Sequence, residues 1–144
     1  ITILKKRENY RRLFDGFDPA KVAAYDENDL ERLMGDAGII RNRAKIISAI
    51  NNARVFVEHF GVDEDAFSDF LWSFVDGEPI INQRKTMGDI VAVTEISTLM
   101  SKTLKKMGFS FIGPTTCYAM MQAAGMVDDH LVNCFCHTSN RSEI

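Results

Sequence analysis

Apolar side chains recur at the spacing of an α-helix along nearly the whole chain, and no sustained strand-like alternation interrupts them. The longest predicted helix runs from about Asn42 to Phe60 and ends at Gly61. It has a broad apolar face, which predicts a central position in the fold. That face consists of Ala44, Ile46, Ile47, Ala49, Ile50, Ala53, Phe56 and Val57. The pattern therefore predicts an all-α protein.

Shorter helices are predicted on both sides of this segment. Their ranges are 5–14, a short stretch from 19, 27–34, 63–75, 94–107 and 114–124. Asp18 and Asp26 have side chains that cap helix N-termini, and Pro19 suits a first helical position. An apolar, mostly aromatic stripe in the 63–75 helix, which we expect in the core, comprises Phe67, Phe70, Leu71 and Phe74.

The last two predicted helices meet in a short turn bounded by glycines. Gly108 stands where a helix C-terminus favours a left-handed residue, and Gly113 precedes Pro114 at the start of the next helix. The first N–H groups of that helix lack partners within the helix, and its dipole favours a phosphate there. The pattern predicts a helix-hairpin-helix DNA-binding element over about 94–124, although a plain packed helix pair with solvated lysines is an alternative. The predicted DNA-binding residues are Lys105, Lys106, Gly108, Phe109, Ser110, Phe111, Gly113 and Thr115.

We expect backbone groups of this turn, rather than lysine charge, to dominate DNA binding. A Gly113→Val change should then weaken binding more than Lys105→Ala. The expectation assumes that Gly113 either has a positive φ or approaches the DNA strand closely.

Composition is that of one ordinary globular domain, predicted over residues 1–144. The net charge of −3 and the pI of about 5.6 predict modest non-specific DNA affinity. Basic residues nevertheless cluster within 1–12, 41–45 and 102–106, either as phosphate contacts or as solvated helix faces. The odd number of cysteines argues against a disulfide framework and favours a reducing cytoplasm. No apolar run is long enough to span a bilayer.

His130 and Cys134 form the clearest candidate metal half-site. If this stretch is helical, positions i and i+4 lie on one face, so an imidazole and a thiolate converge on one ion. Spacing alone makes this a weak signal, because a structural zinc site takes four ligands. Cys136 and His137 are nearby, and we treat them as bystanders.

Six segments in the same order resemble the 3-methyladenine DNA glycosylase I family of the helix-hairpin-helix glycosylases. They are 2–11 (TILKKRENYR), 17–23 (FDPAKVA), 36–46 (DAGIIRNRAKI), 70–75 (FLWSFV), 105–119 (KKMGFSFIGPTTCYA) and 129–134 (DHLVNC). The resemblance runs nearly end to end and implies the helical fold of that superfamily.

The resemblance also implies an activity. Family members are monofunctional enzymes of base-excision repair that flip 3-methyladenine out of alkylated double-stranded DNA and hydrolyse its N-glycosidic bond. It implies a monomer in the cytoplasm and a structural Zn²⁺, with His130 and Cys134 matching two of its four ligands in a tail over about 128–137. The other two ligands, the base-reading Glu and most of the aromatic pocket belong to a family segment that precedes the position of Ile1, so we expect the chain to be N-terminally incomplete.

Asp128 is the one catalytic candidate in the chain. It lies where the glycosylase superfamily has a catalytic Asp, which stabilises an oxocarbenium-like sugar and orients water. The 3-methyladenine family commonly has Asn there, and we favour a helix N-cap role ahead of His130. The alternative to an enzyme is a non-catalytic helix-hairpin-helix DNA-binding domain, or an inactive fragment without base-reading residues.

Overall fold

The computed structural model describes residues 1–61 and 63–141, so the last three positions of the predicted domain lie outside the described residues. Eight α-helices are described: α1 Thr2–Lys5, α2 Arg7–Leu13, α3 Pro19–Ala23, α4 Glu27–Gly35, α5 Arg43–Phe60, α6 Glu64–Trp72, α7 Glu95–Met107 and α8 Pro114–Ala123. Two short strands are β1 Ile80–Ile81 and β2 Val127–Asp128. The all-α prediction is confirmed.

The chain divides into two compact units. The first contains Ile1–Glu64 and Lys105–Phe111, and the second contains Asp65–Leu104 and Ile112–Ile144. Helix α7 therefore contributes its last turn to the first unit and the rest to the second.

Helix α5 organises the first unit, where it packs on α3 and α4. The predicted caps are present: the Asp18 carboxylate accepts N–H bonds at the start of α3, and Asp26 forms a capping box with Asp29 at the start of α4. The predicted helix over 5–14 is instead α1 and α2, separated at Lys6. The core of this unit contains Leu13, Phe14, Val22, Tyr25, Leu30, Leu33, Ile39, Ile46 and Ile50.

The second unit combines helices with one small parallel strand pair. Ile80 pairs with Val127, and Ile81 pairs with Asp128, which the sequence pattern did not predict because two residues are too few to show an alternation. The aromatic stripe of α6 is only partly buried rather than fully in the core. The buried side chains include Met100, Leu104, Cys117, Tyr118, Met121 and Met126. None of the helices in the described ranges has the length and apolar content needed to cross a bilayer.

Candidate functional site

The first half of the predicted hairpin lies in the first unit and begins where α7 ends. Lys105 and Lys106 are exposed on the last turn of α7. Gly108 has a φ of +107°, so the prediction of a left-handed residue at this helix end is confirmed. A Cβ atom at Gly108 would lie 3.2 Å from Cγ2 of Val55 on α5. Both the backbone conformation and the close neighbour therefore require glycine here.

The hairpin backbone is partly occupied by internal hydrogen bonds. The Ser110 N–H donates to Oδ1 of Asn52 over 2.8 Å. The Ser110 N–H is therefore bonded within the protein, whereas DNA binding by the N–H groups around Phe109 to Thr115 stays a prediction. Phe109 is buried, whereas Phe111 is 62% exposed and has a left-handed φ of +55°.

The second half of the hairpin opens α8 in the second unit. Pro114 occupies the first turn of α8, as predicted, and Gly113 is its N-cap residue with no side-chain cap. Gly113 has a φ of −77° and no atom within 4 Å of an added Cβ, so a positive φ at this position is ruled out. Thr115 is exposed beside it. The uncapped start of α8 keeps the character of an anion-binding helix terminus.

These two glycines give a prediction about stability. We expect Gly108→Ala to lower the free energy of unfolding by about 1–3 kcal/mol, because an alanine must adopt a strained φ against Val55. Gly113→Ala has an ordinary φ and open space, so it should change stability by less than about 0.5 kcal/mol. Urea denaturation of both variants measures the difference, and equal destabilisation would contradict this account of the turn.

Asp128 lies in β2, and its buried carboxylate is held by four hydrogen bonds. Oδ1 accepts the backbone N–H of His130 at 3.0 Å and its ring Nδ1 at 2.8 Å. Oδ2 accepts the N–H and the hydroxyl of Thr138 at 2.7 and 2.6 Å. Burial opposes ionisation, but the bonds from Thr138 and His130 outweigh it and hold the pKa of Asp128 below its ordinary value. The Asp128 carboxylate therefore links β2 to His130 and Thr138 by hydrogen bonds.

This geometry corrects two expectations about the C-terminal tail. No α-helix follows Asp128 in the described part of the chain, so its side chain is not a helix N-cap there. Residues 130–137 form turns and bends with one isolated β-bridge at Leu131, so His130 and Cys134 do not share a helix face. Short side chains that bond to their own backbone favour such turns over a helix.

Asp129 is a second buried carboxylate, which sequence reasoning missed. Oδ1 accepts Nδ2 of Asn82 at 2.8 Å and Nε of Arg84 at 3.0 Å. Oδ2 accepts Nε2 of Gln122 at 2.8 Å and the hydroxyl of Tyr118. Burial raises the pKa of Asp129, but these bonds together lower it below the ordinary value. Asn82 and Arg84 lie more than forty residues before Asp129 in the chain, so no local pattern could have indicated the cluster.

The tail places the two predicted metal ligands in different environments. His130 is exposed, and Asp128 engages its Nδ1, which orients Nε2 away from that carboxylate. The Cys134 sulfur accepts the N–H of Cys136 at 3.4 Å. His137 is fully buried with both ring nitrogens bonded, to the Asn82 carbonyl and the Ser139 N–H, so it has no ring nitrogen available for a metal. Within residues 1–61 and 63–141, no group of three or more His, Cys, Asp or Glu side chains is arranged to hold an ion.

Known proteins match the chain over almost its full length. It is 51% identical over 141 residues to DNA-3-methyladenine glycosylase 1 of Escherichia coli (strain K12), covering 98% of the chain and 75% of that relative. It is 48% identical over 139 residues to DNA-3-methyladenine glycosylase of Haemophilus influenzae, covering 96% of the chain and 75% of that protein.

Solved structures agree with the sequence matches. A crystal structure of 3-methyladenine DNA glycosylase I superimposes with a TM-score of 0.87 at 49% identity, covering 94% of this chain and 74% of that one. A structure of the Staphylococcus aureus enzyme, described as showing the basis of 3-methyladenine recognition, gives 0.86 at 37% identity, covering 99% and 74%. The profile of the family described as methyladenine glycosylase matches residues 1–137. This chain belongs to the methyladenine glycosylase family.

Proposed function

We propose that the protein is a monofunctional DNA glycosylase that releases 3-methyladenine from alkylated double-stranded DNA in base-excision repair. The observation that carries the proposal is the match of residues 1–137 to the family, together with a TM-score of 0.87 to a solved glycosylase. The protein acts as a monomer in the cytoplasm, in keeping with its three free cysteines.

The nature of the substrate explains why base release needs little catalytic assistance from the protein. Methylation at N3 gives adenine a positive charge, so the damaged base is already a good leaving group. The enzyme must extrude the nucleotide from the duplex, enclose the base and admit water to the sugar C1′ atom. Undamaged purines lack that charge, and they leave far more slowly from the same environment.

The hairpin supplies the DNA contacts in this proposal. The uncapped start of α8 attracts a backbone phosphate through its N–H groups and helix dipole. Exposed Lys105 and Lys106 add local positive charge on a chain whose net charge is negative. Their role is to hold the strand, because phosphate contacts fix register and carry no base specificity.

We also propose that His130 and Cys134 are ligands of a structural Zn²⁺. The donor set fits: imidazole nitrogen and thiolate are the ligands zinc prefers, and a carboxylate on Nδ1 is the usual partner of a zinc-bound histidine. Asp128 supplies that carboxylate. The ion would brace the C-terminal tail and would take no part in bond cleavage.

A non-catalytic DNA-binding domain is the second candidate function. It is favoured by the state of the two buried aspartates, since Asp128 and Asp129 each accept four internal hydrogen bonds. A carboxylate so occupied is poorly placed to orient water or to stabilise a sugar cation. Asp128 thus remains a weak catalytic candidate, and its positioning role is the better supported one.

Base release from methylated DNA separates the two functions. A glycosylase of the proposed specificity should release 3-methyladenine and leave 7-methylguanine in place, as read by chromatography of the freed bases. A DNA-binding domain should bind the same duplex and release neither base.

A further inference from the structure

Helix α5 presents a polar stripe to the backbone of the hairpin within the first unit. Ser48, Asn52 and His59 follow one another at helical spacing, with Val55 between the last two. Nε2 of His59 donates to the Met107 carbonyl at 3.1 Å. The Ser48 hydroxyl lies 2.9 Å from that of Ser110. Side chains of α5 therefore contact the hairpin at both Met107 and Ser110.

Asn52 makes the most specific of these contacts. Its Oδ1 accepts the Ser110 N–H at 2.8 Å, and its Nδ2 donates to the Ser110 carbonyl at 3.0 Å. The Asn52 amide therefore bonds to both backbone polar groups of Ser110, as the backbone of a neighbouring β-strand would. Asn51 adds one further bond, from its Nδ2 to the Gly108 carbonyl at 3.0 Å.

Ser110, whose backbone bonds to Asn52, is followed by Phe111 in a strained backbone conformation. Phe111 has a φ of +55° with a side chain that is 62% exposed, so packing of the ring does not hold this conformation. A non-glycine residue stays in this region only where its surroundings impose the geometry, and such residues cluster at functional sites. Asn52 fixes the peptide group immediately before it.

We infer that Asn52 is a positioning residue for DNA binding, because its amide holds the Ser110 backbone and so fixes the hairpin in the form that meets the phosphate backbone. The inference rests on the proposed function, since it assigns the hairpin to DNA. Loss of the amide leaves the Ser110 N–H without its partner and the Ser110 carbonyl with only the Ser48 hydroxyl at 3.3 Å. The hairpin then samples conformations that do not fit the DNA strand.

The test compares Asn52→Leu with Val22→Ala. The leucine has nearly the shape of asparagine and none of its hydrogen bonds. Val22 is a core residue of α3, so its truncation lowers stability without touching the hairpin. Affinity for a fluorescein-labelled duplex is measured by anisotropy, well below the melting temperature of each protein.

We expect Asn52→Leu to bind the duplex roughly tenfold more weakly than wild type, the effect of about 1.4 kcal/mol. The Ser110 N–H should also exchange with solvent faster, while Val22→Ala melts lower and binds as wild type does. Wild-type affinity in folded Asn52→Leu would overturn the inference, and so would an equal loss in Val22→Ala.

A further variant keeps the inference testable if Asn52→Leu does not fold. Asn51→Ala removes only the bond to the Gly108 carbonyl and should weaken binding roughly threefold, within the range of a single hydrogen bond. Unchanged affinity in that variant would then contradict the inference that amide side chains of α5 position the hairpin for DNA binding. Failure of wild type itself to bind duplex would contradict the proposed function, and it would remove the basis of the inference with it.

Discussion

Replacement of Asp129 should cause a large loss of stability. Asp129→Ala leaves Asn82, Arg84, Tyr118 and Gln122 without their shared acceptor, in a site where the Asp129 side chain is only 6% exposed. Removing one partner of a buried, charge-assisted network costs about 3–5 kcal/mol in the free energy of unfolding. Urea denaturation measures it directly.

Asp129→Asn is the sharper form of this experiment. The amide keeps the shape, but its nitrogen must face either the N–H groups of Asn82 and Arg84 or that of Gln122. At least one N–H therefore loses its acceptor, and we expect a loss of about 2 kcal/mol or more in the free energy of unfolding. Asp69→Asn, at an exposed position of α6, makes the same charge change and should stay within about 0.5 kcal/mol of wild type. Equal effects of Asp129→Asn and Asp69→Asn would show that the network contributes nothing beyond its charge.

Loss of a zinc ligand should have the second large effect. A complete structural site can supply roughly 10–16 kcal/mol, whereas two ligands leave the ion largely hydrated and give up most of that. We expect one zinc per molecule in any form of the protein that supplies all four ligands, and far weaker binding by residues 1–144 alone. His130→Ala and Cys134→Ser should each lower zinc content and melting temperature.

Asp128 provides a matched test of the same site. If its carboxylate orients His130, Asp128→Asn should weaken zinc affinity roughly 10–100-fold while both ligands stay in place. Metal analysis after dialysis and competition with a chelator measure the change. Tight, stoichiometric zinc in residues 1–144 alone would show that Cys136 or another residue of this chain completes the site, contrary to our assignment.

Sequence patterns predicted the helices well because caps, glycine turns and helical periodicity each depend on residues close together in the chain. The Asp18 and Asp26 caps, the Gly108 turn and the long α5 all depend on residues within a few positions of one another. Helix boundaries shifted by at most three residues, and several did not shift, because helix ends fray or cap differently.

Features that depend on distant partners could not be predicted in this way. Asp129 bonds to side chains from two other segments of the chain, 82–84 and 118–122, and Asn52 bonds to Ser110 across 58 positions of sequence. The helical reading of the tail failed because Asp128 bonds to Thr138 and stabilises a turn instead. Family resemblance supplied the activity and the zinc proposal, which no single spacing in this chain specifies.

Base release from methylated duplex DNA is the most direct test of the account. Chromatography should show free 3-methyladenine accumulating with time, with 7-methylguanine retained in the DNA. Heat-denatured protein provides the baseline for spontaneous loss. Duplex binding by the protein without release of 3-methyladenine above that baseline would contradict the glycosylase assignment and favour a DNA-binding domain.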